Sequence, residues 1–137
     1  MSLPPETLDF AAKVFDLARQ GDEQTLRMYL DAGLPPNLTN DKGNTLLMLS
    51  AYAGHASTVR LLHEKGADVN RLNDRQQSPL AGAIFKNEEE VVRLLVELGA
   101  DPRLGDPSAI QSAKIFGQIR WLDLLGATEA ERAAPVM

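Results

Sequence analysis

The sequence predicts an all-α protein, a solenoid in which helix-turn-helix units stack side by side and are joined by short extended fingers. Glycines recur at intervals of 33 residues, at Gly33, Gly66 and Gly99. Leucine and alanine dominate the composition, with 21 and 17 of the 137 residues, whereas aromatic residues contribute 5%. We therefore expect short, closely packed helices, in units that are too small to bury their own apolar faces and must share one core.

The 33-residue period extends well beyond the glycines. Further residues recur at the same step, namely Arg27, Arg60 and Arg93, the pairs Leu61-Leu62 and Leu94-Leu95, and the pairs Ala67-Asp68 and Ala100-Asp101. No gap is needed across residues 7–105. We predict a first unit over residues 1–39, a second over 40–72, a third over 73–102, a shortened fourth over 103–126 and a tail over 127–137.

Each unit is predicted to contain two short helices. In the second unit, Thr45 is the expected N-cap of the first helix, because its hydroxyl can accept a hydrogen bond from a free first-turn N–H. Gly54 is expected to end this helix, and His55 to Lys65 to form the second one. In the third unit, Pro79 suits the first helical position, where the missing N–H has no cost.

These recurring blocks resemble the ankyrin repeat over about residues 7–126. The best-matching blocks are Gly43, Thr45, Leu47, Gly54-His55, Leu61-Leu62 and Gly66-Ala67-Asp68-Val69-Asn70 in the second unit, and Ser78-Pro79-Leu80, Leu94-Leu95 and Gly99-Ala100-Asp101 in the third. The resemblance implies antiparallel helix pairs. The histidine of the family's motif is replaced by Phe15, Met48, Ala81 and Gln111. The hydrogen bonds that this histidine usually makes to the neighbouring loop must therefore be replaced or lost.

The two ends are predicted to be polar caps of the stack. At the N-terminus, a helix that runs to about Arg19 carries Phe10 on its apolar face. In the fourth unit, the step from Ser78 to Ser108 is 30 instead of 33, so three residues are missing from a finger that is rich in proline. We expect a short, stiff finger there.

The C-terminal end is predicted to hold a helix from Ile119 to Leu125. Thr128 and Glu131 have the spacing of a capping box, which favours a short final helix, although the alanine-rich tail could equally fray. Two interpretations of Trp121 are open. It either shields the last unit as an end cap, which we favour, or anchors a partner, since tryptophan is common at interface hot spots.

Composition excludes several classes of function. The chain has no cysteine, which rules out disulfides, thiolate metal sites and cysteine nucleophiles. His55 and His63 lie about 12 Å apart along one predicted helix, so they cannot share a metal ion. The net charge of -5 argues against non-specific nucleic-acid binding. No targeting signal and no membrane-spanning run is visible, so we expect a cytoplasmic protein without a membrane partner. From the composition we also expect no catalytic activity, cofactor, metal or nucleic-acid partner.

The run Glu88-Glu89-Glu90 leaves two interpretations open. It could bind a divalent cation, or it could complement the free N–H groups in the first turn of a predicted helix. Asp22-Glu23 occupies the matching place in an earlier unit. This repetition favours helix capping.

The ankyrin resemblance implies that a partner is held on the concave side, by the finger tips and the first helix of each unit. Carried over by position, the predicted partner-binding residues are Arg19, Lys42, Asn44, Tyr52, Asp74, Arg75, Gln77, Phe85, Lys86 and Phe116. Tyr52 and Phe85 are 33 residues apart, and with Ile115 or Phe116 they would form an aromatic stripe. Such a stripe on a polar face indicates an interface. The alternative is that these side chains pack beneath the fingers and complete the core.

We expect the function to be non-catalytic binding of a partner protein by a monomer, with self-association through the aromatic groove left open. One alternative is an accessory or regulatory subunit of an enzyme, which the sequence cannot separate from other partner binding. Another is a small-molecule or metal-binding module that uses the acidic helix starts or the aromatic stripe. The predicted groove is neutral to basic in an acidic chain, which suggests a partner with an acidic, partly apolar segment.

Overall fold

A computed structural model describes residues 5–136, so the predicted start of the first unit at residue 1 and the end of the tail at residue 137 lie outside the described residues. The helices in this part of the chain are α1 (Pro5–Gln20), α2 (Glu23–Asp31), α3 (Leu46–Tyr52), α4 (Ala56–Glu64), α5 (Pro79–Phe85), α6 (Glu89–Glu97), α7 (Ala109–Ile115), a 3-10 turn (Ile119–Trp121) and α8 (Glu129–Ala133). Within the same residues, β-pairing is limited to isolated bridges, at Thr39–Thr45 and Gly105–Ser108. The predicted all-α class is confirmed.

Consecutive helices pair off into units, and the units stack. The inner helices α1, α3, α5 and α7 pack against one another in that order, and the outer helices α2, α4 and α6 pack behind them. The fingers, which we define as residues 34–45, 67–78 and 100–108, connect each unit to the next. None of the helices in residues 5–136 combines the length and the apolar character that crossing a membrane requires.

Hydroxyl N-caps start the inner helices α3, α5 and α7. Thr45, Ser78 and Ser108 each accept a hydrogen bond from the backbone N–H three residues further on, at 3.1, 3.1 and 3.2 Å respectively. Pro79 follows Ser78 in the first turn of α5. The side-chain Oε1 of Gln111 in turn accepts from the Ser108 N–H at 2.8 Å, which completes a capping box. The predicted N-cap at Thr45 and the predicted first helical position of Pro79 are confirmed, and local side-chain chemistry sets where these helices begin.

A residue in the left-handed region of φ turns the chain from each inner helix into its outer helix. Gly54 has φ 83° after α3, and a Cβ at this position would collide with the carboxylate of Glu88. The equivalent residue after α5 is Asn87, with φ 56°. Asparagine is one of the few residues other than glycine that adopt this region readily.

Equivalent apolar residues from every unit form one continuous core. Val14, Leu47, Leu80 and Ile110 occupy the same place on the four inner helices, with 0%, 0%, 1% and 3% of their surface exposed. Their side chains belong to one cluster that runs the length of the stack. The stability of each unit therefore depends on its neighbours, as is expected of a repeat protein.

Polar side chains tie neighbouring units together at the ends of the inner helices. His55 donates from Nε2 to the carbonyl oxygen of Arg19, in the last turn of α1, at 2.8 Å. Gln118 donates from Nε2 to the carbonyl oxygen of Ile84, in α5, at 2.7 Å. These bonds satisfy carbonyl groups that the helix itself leaves free.

Asparagine side chains connect the fingers, in a stack that lacks the motif histidine. Asn73 is buried, and its Nδ2 donates to Oδ1 of Asn44 at 2.8 Å and to Oε1 of Gln77 at 2.7 Å. The Oδ1 of Asn73 accepts from the backbone N–H of Arg75 at 2.9 Å and from that of Gln77 at 3.0 Å. This network holds the first and second fingers side by side.

The N-terminal end of the stack is covered less completely than the sequence predicts. Val14 and Leu17 of α1 are buried, but Phe10, which is predicted on the same apolar face, is 41% exposed. Its ring packs edge to face against Tyr29 of α2, with ring centres 5.1 Å apart. Phe10 therefore packs at the edge of the core and does not enter it.

The predicted helix from Ile119 to Leu125 is wrong. Residues Ile119–Trp121 form a single 3-10 turn, and turns continue to Gly126. The physical reason is length, because eight residues separate Gly117 from Gly126, whereas eleven separate the corresponding Gly54 and Gly66. Eight residues cannot hold both a nine-residue outer helix like α4 and its caps.

Trp121 fills the space that the missing outer helix leaves. Its side chain is 2% exposed, and its Nε1 donates to Oε1 of Gln118 at 3.0 Å. The guanidinium groups of Arg93 and Arg120 lie 5.1 and 4.5 Å from the ring centre, a cation–π arrangement. This burial rules out the partner-anchor interpretation of Trp121 and supports its role as an end cap.

The tail folds back over the last unit. Thr128 and Glu131 form the predicted capping box of α8. Glu131 also accepts two hydrogen bonds from Arg103 in the last finger, both at 2.8 Å. The Arg103 guanidinium, and then the Thr128 N–H, lower the pKa of Glu131 from 4.5 to about 2. Lys114 of α7 donates to the Glu131 carbonyl oxygen at 2.8 Å, so the tail is anchored from two elements.

Candidate partner-binding groove

An apolar pocket lies on the concave face, between the inner helices and the fingers. Its volume is about 320 Å³. The residues that shape it are Tyr52 from α3, Gly82 and Phe85 from α5, Lys86 at the end of α5, Pro107 from the last finger and Phe116 at the end of α7. We call this feature the aromatic pocket. Its lining combines residues from three units, so it exists only once the units have stacked.

Phe85 and Phe116 form the exposed wall of the aromatic pocket. Their ring centres are 4.8 Å apart with planes tilted by 57°. Phe85 is 59% exposed and Phe116 is 44% exposed. Such a tilted aromatic pair on the surface keeps large apolar faces in water, an arrangement that is more common at interaction sites than on ordinary surface.

Tyr52 forms the inner wall of the aromatic pocket. Its ring lies directly over Gly82, where a Cβ would overlap the ring, and its hydroxyl donates to the Ser78 carbonyl oxygen at 3.4 Å. Burial raises the pKa of Tyr52 to about 12. The predicted stripe of Tyr52, Phe85 and Phe116 is therefore assembled in one place, but Tyr52 is half-buried and does not project from the surface.

Lys86 is the charged residue at the rim of the aromatic pocket. Its side chain is exposed, and in residues 5–136 it takes part in no ion pair. Among the residues that the structure describes, no Asp or Glu lines the pocket. Gln77 also lines the pocket, with its side-chain oxygen held by Asn73.

The remaining predicted residues lie outside the aromatic pocket. Lys42, Asp74 and Arg75 are exposed near the tips of neighbouring fingers, where the Asp74 N–H donates to the Lys42 carbonyl oxygen at 3.1 Å. Asn44 is half-buried and accepts a hydrogen bond from Asn73, so its side chain has a structural role. Arg19, at the end of α1, pairs with Asp16 at 2.8 Å.

Sequence reasoning missed four residues of the pocket, namely Ala81, Gly82, Pro107 and Ser112. Gly82 lies inside a helix, where glycine costs stability and so signals a close approach by another group. Here the approaching group is the Tyr52 ring. Pro107 lies in the shortened finger, and no pattern in the sequence places that finger against α5 and α7.

The other candidate sites have structural explanations. Glu89 and Glu90 lie in the first turn of α6, and Glu89 pairs with Arg93 at 3.4 Å and with Arg120 at 3.5 Å. Asp22 caps α2 by accepting from the Thr25 N–H at 3.2 Å. Across the described part of the chain, no three His, Asp or Glu side chains are grouped so that they could hold a metal ion.

A stack of short helix pairs joined by fingers defines a helical repeat protein. The chain belongs to the ankyrin repeat family. A family model described as ankyrin repeats (3 copies) matches residues 14–106, and the predicted resemblance is confirmed. Ankyrin repeats are generally protein–protein interaction modules, and the family is typically non-enzymatic.

Two relatives illustrate the similarity. The ankyrin repeat protein PA3287 of Pseudomonas aeruginosa is 57% identical over 54 residues, which cover 39% of this chain and 32% of that protein. The crystal structure of the human ASB11 ankyrin repeat domain superposes with a TM-score of 0.76 and 26% identity, over 90% of this chain and 57% of that one. The chain thus spans about a third of the length of the first relative and little more than half of the second.

Proposed function

We propose that this chain is a non-catalytic binding module that holds a partner protein on the concave face of its ankyrin stack. One observation carries the proposal: the exposed Phe85–Phe116 pair stands at the mouth of an apolar pocket that three units build together. Exposed aromatic side chains around a pocket provide the buried anchors on which interface affinity usually depends.

The chemistry of the pocket supports binding over catalysis. Its ionisable side chains are Lys86 and Tyr52, and the pKa of Tyr52 is about 12. A general acid or base works best with a pKa near the operating pH, and Tyr52 is far from that range. Any reaction that involves this chain is therefore assigned to its partner.

The test is quantitative affinity capture from a lysate of the source organism, with each captured protein then purified and its affinity measured. Wild type is compared with a double variant, Phe85→Ala with Phe116→Ala. The matched control is Met28→Ala with Ile119→Ala, because these two side chains are similarly exposed, at 63% and 66%, and lie outside the pocket. Thermal melts establish that all three proteins are folded.

We expect the pocket variant to lose at least about tenfold in affinity for its partner, as is typical when hot-spot side chains are truncated. The control variant should bind like wild type. A partner that binds both variants equally well would place the interface elsewhere and would refute the proposal for this groove.

A further inference from the structure

We infer that the aromatic pocket recognises a partner segment in which a large apolar side chain is flanked by a carboxylate, with the apolar group entering between Tyr52 and Phe85 and the carboxylate pairing with Lys86. This inference rests on the proposed function and adds the chemistry of the partner. It is carried by the juxtaposition of an apolar pocket and one unpaired cation.

Charge at the pocket is one-sided. Lys86 lines the pocket, and no acidic residue lines it with Lys86. The nearest acidic residue along the last finger, Asp106, lines a different cleft, at the C-terminal end of the stack. At the finger tips, by contrast, Lys42 and Arg75 are each adjacent in sequence to an aspartate, Asp41 and Asp74.

The stack itself does not require a cation at position 86. Lys86 is the C-cap of α5, where a positive charge is favourable. The equivalent C-caps are Ala53 after α3 and Phe116 after α7, and both of those inner helices are formed equally well. The lysine therefore adds charge beside the pocket without serving a repeated structural need.

The size of the pocket limits what can enter. Its volume of about 320 Å³ lies at the lower end of the range of about 300–1,000 Å³ for drug-sized ligand sites. One or two side chains fit this space better than a whole cofactor. Because Phe85 and Phe116 stay exposed on the outer side, a segment of chain can lie across them while its anchor is buried.

The test is a selection of random short peptides displayed on phage, with the whole chain as the immobilised target. Peptides that bind wild type are sequenced, and the enriched ones are synthesised for affinity measurement. Binding is then measured for Lys86→Met, for Phe85→Ala with Phe116→Ala, and for Arg27→Met. Arg27 is an exposed cation on the outer helix α2, so its variant removes the same charge far from the pocket.

We expect enriched peptides to combine an aromatic or large aliphatic residue with a neighbouring Asp or Glu. Lys86→Met should weaken the binding of these peptides about two- to fivefold, which is the contribution of an exposed ion pair, and added salt should reduce this difference. Arg27→Met should have no effect. Enriched peptides without acidic neighbours, or equal binding by Lys86→Met, would overturn the inference and leave the proposed function intact. If no peptide prefers wild type over the Phe85→Ala, Phe116→Ala variant, both the inference and the proposed function are overturned.

Discussion

Replacing Gly82 by alanine should have opposite effects on stability depending on whether Tyr52 is present. In wild type, a Cβ at position 82 would lie 2.7 Å from Cδ1 of Tyr52 and closer still to two other ring atoms. The ring must then leave its place against α5. In a Tyr52→Ala background, the ring atoms that this Cβ would overlap are gone.

The magnitudes follow from two competing terms. Alanine in a helix interior is favoured over glycine by about 1 kcal/mol. Displacing the half-buried Tyr52 ring removes about 2 kcal/mol of apolar burial, somewhat less than the value for a fully buried side chain. Gly82→Ala should therefore destabilise wild type by about 1 kcal/mol and stabilise Tyr52→Ala by about 1 kcal/mol. The coupling of about 2 kcal/mol is within the range found for residues in contact.

The assay is equilibrium urea denaturation of the four proteins of this double-mutant cycle, followed by far-ultraviolet circular dichroism. The slope of unfolding free energy against urea should be the same for all four, which shows that the extent of unfolding has not changed. If Gly82→Ala changes the free energy of unfolding by the same amount, within about 0.5 kcal/mol, in both backgrounds, then the ring does not rest on Gly82 and the description of the pocket wall is refuted.

Two further predictions concern the C-terminal end of the stack. Trp121→Ala should lower the free energy of unfolding by about 3–5 kcal/mol in urea denaturation, because it empties a fully buried site, and a loss below about 1 kcal/mol would contradict the end-cap role. Glu131→Gln should lower the melting temperature at neutral pH, because it removes the carboxylate that Arg103 holds. The folded pKa of Glu131, about 2, is below its ordinary value of 4.5, so the stability that it contributes is present above pH 4.5 and is lost as the pH falls toward 2. The difference in melting temperature between wild type and this variant should therefore shrink over that interval, and a difference that is independent of pH would refute the role of the carboxylate.

Much of the candidate groove could be anticipated because position within a repeat determines position in the stack. The 33-residue step places Tyr52 and Phe85 at equivalent points on neighbouring inner helices, and the structure brings both to one pocket with Phe116. The exposure of each of these side chains could not be predicted from the 33-residue step. Tyr52 is half-buried with its ring over Gly82, whereas Phe85 at the equivalent position is 59% exposed. The partner-binding role of these residues stays a prediction.

Local rules and periodicity by themselves determine the class of the fold. The spacing of glycines marks where helices end, hydroxyl residues such as Thr45 mark where they begin, and apolar residues at one period require stacked units with a common core. These features act within a few residues or repeat at a fixed step, so a single sequence displays them.

Tertiary structure decided what happens where the period breaks. The last unit is too short for an outer helix, so Trp121 occupies that volume instead, and Arg103 and Lys114 hold the tail over the end of the stack. The aromatic pocket likewise depends on side chains from three units, and on the finger that brings Pro107 to α5 and α7. Contacts of this kind join residues far apart in the chain, and their geometry follows from packing that no local pattern encodes.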